Sequence, residues 1–106
     1  MKINGREVGF LYTVGAHCEF SEYCIQHPNA PIATAEMYKA VAMNKAYNSA
    51  NGIEGGLTIE ELQGLMMYEW NDIRDEMKRV EKECSTRQVE TIEVPGKKGK
   101  TVGRSS

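Results

Sequence analysis

Thr58-Ile59-Glu60-Glu61-Leu62-Gln63-Gly64-Leu65-Met66-Met67-Tyr68-Glu69-Trp70-Asn71-Asp72-Ile73-Arg74-Asp75-Glu76-Met77-Lys78-Arg79-Val80-Glu81-Lys82-Glu83-Cys84 is the stretch that decides the fold. Its apolar residues Ile59, Leu62, Met66, Trp70, Ile73, Met77, Val80 and Cys84 are spaced 3, 4, 4, 3, 4, 3 and 4 apart, the period of one helix face. Thr58 and Glu61 have the form of a capping box, in which the Thr hydroxyl accepts from the third amide and the Glu carboxylate reaches back. The spacing predicts one long amphipathic helix over 59–84, roughly 39 Å at 1.5 Å per residue.

Outward from that helix, Asn51-Gly52 closes an earlier helical run, because Asn and Gly tolerate the left-handed conformation that stops a helix. That run, Ala35 to Tyr47, is rich in good helix formers, with Thr34 as its expected N-cap. Before it, Ala16, Phe20, Tyr23 and Cys24 recur at helical spacing up to Pro28 and Pro31, predicting a first helix over about 15–26. At the start, Asn4-Gly5 between short β-branched and aromatic runs predicts a hairpin over residues 1–13. The expected fold is α+β and mainly helical: an N-terminal β-hairpin, three helices with the last long and amphipathic, and a tail. Residues 1–84 form the expected domain. Residues 85–106 form the tail, with a short strand at Val89–Val94 and a basic end expected to be flexible or held by a partner.

Charge divides at the same place. Residues 1–84 hold 8 Lys and Arg against 13 Asp and Glu, whereas 85–106 hold 5 against 2. With 106 residues, a single modest core is the ceiling. No apolar run approaches the roughly 20 residues of a membrane span, and no secretory signal is visible. Three cysteines, Cys18, Cys24 and Cys84, are an odd number without such a signal, so reduced thiols packed as small hydrophobes in a cytoplasm are expected.

The chemical motifs are poor. His17-Cys18 with Cys24 and His27 offers zinc-type ligands, but five residues separate the cysteines and no second knuckle follows. The same residues could pair as nucleophile and base, without an oxyanion loop or family signature. Asn48–Glu61 has an EF-hand outline, yet Tyr47 or Ala50 falls where the first carboxylate ligand must stand. Gly55-Gly56 lacks the Lys-Ser/Thr of a phosphate loop. No catalytic residue, metal or other cofactor is expected.

Four segments together resemble the tail assembly chaperones of phages and prophages of Firmicutes. They are Met1-Lys2-Ile3-Asn4-Gly5-Arg6-Glu7-Val8-Gly9-Phe10; Tyr12-Thr13-Val14-Gly15-Ala16; Leu57-Thr58-Ile59-Glu60-Glu61-Leu62; and Val89-Glu90-Thr91-Ile92-Glu93-Val94-Pro95-Gly96-Lys97-Lys98. In order and spacing they cover most of the chain. The resemblance implies a non-enzymatic protein of the host cytoplasm that coats the long helical tape measure protein, keeps it soluble and hands it to the tail tube protein. It also implies a longer form made by frameshifting, for which the Lys97-Lys98 codons are the candidate. It transfers no residue-level site.

The partner-binding residues expected here rest on periodicity alone: Leu62, Met66, Trp70, Ile73, Met77 and Val80, serving core and interface together. A repeat of about 3.5 residues over 66–84 also suits a homo-oligomer seam. Two alternatives remain open: a structural subunit of a phage particle, and a small nucleic-acid-binding regulator. The regulator would use the basic tail on phosphate and the two later helices as a helix-turn-helix. Its turn would be long, and Glu60-Glu61 would face phosphate.

Overall fold

The computed structural model describes residues 1–86. The proposed strand at 89–94 and the basic tail lie outside the described residues. In chain order the elements are β1 (Lys2–Ile3), β2 (Arg6–Glu7), α1 (Val14–Gln26), α2 (Ile32–Asn51), α3 (Ile59–Gln63) and α4 (Met67–Ser85). The fold is therefore α+β with an N-terminal hairpin, and four helices follow it among the described residues rather than three.

Asn4 (φ 53°) and Gly5 (φ 81°) both take the left-handed conformation, which matches the twist of paired antiparallel strands. The strands pair Lys2 with Glu7 and Ile3 with Arg6. The hairpin is shorter than the 1–13 expected: Val8 still exchanges hydrogen bonds with Met1 (2.7 and 3.0 Å), and from Gly9 onward the chain runs against α2. Leu11 donates its amide to the Met43 carbonyl (3.0 Å), and the Gly9 carbonyl accepts from Asn44 Nδ2 (2.9 Å). Val8 and Phe10, two apart, are both buried in the core, as alternation along an extended segment requires. Gly9 permits the approach: a β-carbon there would lie 2.4 Å from the Tyr47 ring.

Thr13 caps α1, its hydroxyl accepting from the Ala16 amide (3.1 Å). α2 begins at Ile32 with Pro31 at the cap, three residues before the cap expected at Thr34. Proline's fixed φ and missing N–H suit a helix entrance, where the first amides have no intrahelical partner anyway. Its end is as expected, at Gly52 with φ 66°.

The long helix expected over 59–84 is two helices meeting at an elbow. Thr58 and Glu61 do form the capping box, but α3 ends at Gln63. There the Gly64 amide turns back to the carbonyls of Glu60 (3.2 Å) and Glu61 (3.3 Å). Met66 is extended (ψ 154°) at the cap of α4, and its amide donates to Glu69 Oε1 (2.9 Å). Glycine in a helix costs about 1 kcal/mol relative to alanine, and Glu69 supplies a fresh start three residues beyond Met66. Apolar spacing cannot register such a break, since Leu62 and Trp70 reach the same core from either side of it.

α2 is the central element. α1 lies along one side of it, burying only Ala16, with Tyr23 stacked on Tyr38 at 4.0 Å. On the other side Ile3, Val8 and Phe10 meet Ala40 and Met43 of α2, Leu57, Leu62 of α3, and Trp70, Ile73, Met77 and Val80 of α4. Met43 and Ile73 are the largest side chains with almost no exposure, and burial of each stabilises the fold by about 1.5–3 kcal/mol. No helix among the described residues is long and apolar enough to cross a membrane.

A candidate protein-binding surface at the elbow

Five of the six residues expected to face a partner, Leu62, Trp70, Ile73, Met77 and Val80, belong to the closed core. The sixth departs from the stripe because the elbow turns it outward: Met66 is 62% exposed, and its successors Met67 and Tyr68 are 67% and 70% exposed. Three large apolar side chains in succession thus stand in solvent where α3 meets α4. Met67 and Tyr68 were not among the expected site residues. The signal for them is the run Leu65-Met66-Met67-Tyr68, which steps about 100° per residue around a helix and cannot all face one side.

The charges beside these side chains are of both signs: exposed Lys78 stands one turn from Asp75, and Lys2 lines one cleft with Glu69 and Asp72. Tyr68, Asp72 and Asp75 stand at i, i+4 and i+7 and are all exposed, so they share one outer face of α4. Neither aspartate has an ion-pair partner among the described residues. Three other basic side chains nearby are paired. Arg79 binds Glu76 (2.6 Å) and Glu83 (2.7 Å), and its guanidinium holds the Glu76 carboxyl below the usual carboxylate range. Arg74 Nε lies 3.3 Å from Glu36 of α2. Lys39 Nζ sits 2.7 Å from Glu81 and over the rings of Tyr12 and Phe20.

The elbow is braced from the hairpin side. Arg6 reaches Glu61 Oε1 (2.5 Å) and the Gly55 carbonyl (2.9 Å), while the Thr58 amide also donates to Glu61 (3.3 Å). Arg6 is the main reason that the Glu61 carboxyl titrates below its ordinary value of 4.5. A depressed carboxyl contributes stability that is present above its unfolded-state value and is lost as pH falls through the folded-state value. Glu7, held by the N-terminal amine, and Glu76 act in the same sense. Urea midpoints are therefore expected to fall as pH drops below about 4.5, and Glu61→Gln is expected to flatten this acid limb in part. An unchanged limb in that variant would mean the Arg6–Glu61 clamp adds nothing to stability.

The remaining sequence candidates are dispersed. Cys18, Cys24 and Cys84 are free and exposed rather than packed as small hydrophobes, because α1 turns only Ala16 fully inward and Cys84 lies beyond the last core contact at Val80. His17 Nδ1 is hydrogen-bonded to Tyr12 Oη (2.5 Å), and His27 stacks on Tyr23 at 4.3 Å. Among the described residues no three His, Cys, Asp or Glu side chains converge as a metal-holding group. Another polar group that sequence reasoning missed is Asn44, buried in mid-helix, whose amide binds Gly9 and accepts from the Leu57 amide (2.8 Å). Comparison with known proteins finds no matching family model, no similar curated protein and no similar solved structure.

Proposed function

We propose that this chain is a non-enzymatic chaperone of phage tail assembly, which binds the tape measure protein, keeps it soluble and releases it to the tail tube protein. The observation that carries the reading is the Met66-Met67-Tyr68 shelf, exposed on a braced helical elbow. Methionine's unbranched thioether repacks against varied apolar surfaces, and tyrosine adds contact area at low entropic cost. Both suit a client presenting many similar helical segments rather than one fixed site. The four-segment resemblance supplies the identity of that client. The seven residues between α2 and α3 are more than a helix-turn-helix uses, which weighs against the regulator.

Co-expression with the longest helical protein encoded in the same locus tests the proposal. The client is expected to move from the insoluble to the soluble fraction in a stoichiometric complex seen by pull-down and light scattering. A client equally insoluble with and without this chain would overturn it.

A further inference from the structure

We infer that α1 is a strap that lifts from α2 and melts as one unit while the rest of the fold stays closed, and that the Lys39 ammonium is the clasp that holds it down. α1 stands outside the core. None of its residues belongs to the cluster built by the hairpin, Phe10, α2, α3 and α4, and of its 13 residues only Ala16 is buried. Its apolar side chains Val14 and Ile25 are largely exposed, so α1 gains little of the packing that stabilises most protein helices. Its own chemistry does not make up the difference. Gly15 is a poor helix former, and no acidic residue in the first turn or basic residue in the last offsets the helix dipole.

The contacts that seat α1 are few. Among the described residues one hydrogen bond joins it to another helix, from Lys45 Nζ to Glu19 Oε2 (2.9 Å). Both side chains are exposed, and ion pairs of that kind add little. At its first turns an open cleft of about 370 Å³ runs between Ala16 and Glu19 on one side and Ala42, Ala46 and Ala50 on the other, and unfilled space forfeits packing. Farther along, Tyr23 stacks on Tyr38. The strongest hold is at Phe20, whose ring centre lies 5.3 Å from Lys39 Nζ. The same ammonium sits 5.0 Å from the centre of the Tyr12 ring and 2.7 Å from Glu81 of α4. The Lys39 side chain is only 17% exposed, and a cation over a ring counts most where water is excluded.

Both joints permit the movement. Leu11 is pinned to the Met43 carbonyl before α1 begins, so lifting α1 does not pull the N-terminal segment off the core. Beyond its end His27, Pro28, Asn29 and Pro31 are exposed, a loop that passes no helical order to α2. Once lifted, 13 residues are too few to stay helical in water. Lifting and melting are therefore one event, which uncovers Ala42 and the stacked face of Tyr38 and which amide hydrogens report.

Amide hydrogen exchange of the full chain, read by mass spectrometry over 14–26 and 70–80, tests the inference. Protection over 14–26 is expected to lie at least about a hundredfold below that over 70–80. Lys39→Met keeps the apolar stem, removes the charge and is expected to speed exchange over 14–26 by about three- to tenfold. Ile73→Val, a change in the core that α1 does not touch, is expected to speed exchange over 70–80 by a similar factor and to leave 14–26 as in wild type. Equal acceleration of both segments by Ile73→Val would overturn the strap, since α1 would then open only with the whole fold. Wild-type exchange over 14–26 in Lys39→Met would overturn the clasp.

Discussion

Asn44→Ala is expected to lower the unfolding free energy by about 2–4 kcal/mol, since each buried backbone group left without a partner costs about 1–3 kcal/mol. Asn44 is 2% exposed between Met43 and the loop. Its amide nitrogen donates to the Gly9 carbonyl (2.9 Å) and its oxygen accepts from the Leu57 amide (2.8 Å). One side chain thus fastens two segments without regular structure onto α2, one from each side of it in sequence. Alanine removes both partners, and neither the Gly9 carbonyl nor the Leu57 amide belongs to a helix or strand that could replace them.

At about 0.05–0.15 kcal/mol per residue, the 86 described residues hold roughly 4–13 kcal/mol in total, so the loss is a large share. It corresponds to a fall in melting temperature of roughly 8–32 °C for a domain of this size. Asn48→Ala is the control. Its one side-chain bond, to Asn44 Oδ1, is long at 3.4 Å, and a change of under about 1 kcal/mol is expected. Thermal and urea unfolding of the two variants side by side decides the matter. Equal melting of Asn44→Ala and wild type would mean that the N-terminal segment is not held through this amide.

Local chemistry was the legible part of this chain. Asn4-Gly5, Thr58 with Glu61, and Gly52 each act through atoms within a few residues, so sequence alone places the hairpin turn, the end of α2 and the first turn of α3. What sequence could not supply depends on contacts far apart in the chain. Eleven consecutive positions of α2 from Met37 to Tyr47 contain one asparagine, and nothing in them marks it as the residue that meets Gly9 and Leu57. Likewise the break at Gly64 is local, but its effect is seen only when Leu62 and Trp70 are found against the same core residues. The partner-binding stripe illustrates the same point in another way. Helical periodicity reports that a face is covered, and the cover here is the hairpin, Phe10 and α2; residues that await a partner have no need of a period.

The substitutions Trp70→Asp and Met66→Asp should separate these two roles, although sequence spacing puts both positions on one stripe. Trp70 is 9% exposed within the core cluster. Loss of a buried Trp side chain costs about 3–5 kcal/mol, and an unpaired carboxylate in its place adds several more, either as desolvation or as a forced protonation. The sum matches the whole stability of a domain of this size, and Trp70→Asp is expected to be unfolded by circular dichroism and one-dimensional NMR. Met66 stands at the cap of α4 without a side-chain hydrogen bond of its own to the helix. Aspartate is among the best residues for that position and its charge suits the helix N-terminus, so Met66→Asp is expected to gain about 0.5–1 kcal/mol. The same change removes one of the three apolar groups of the shelf and adds a negative charge beside it. A Met66→Asp chain that melts higher than wild type yet solubilises its client less well would place partner binding at the elbow and not in the stripe; one that melts lower would mean that Met66 packs in solution and that α3 and α4 run on as a single helix.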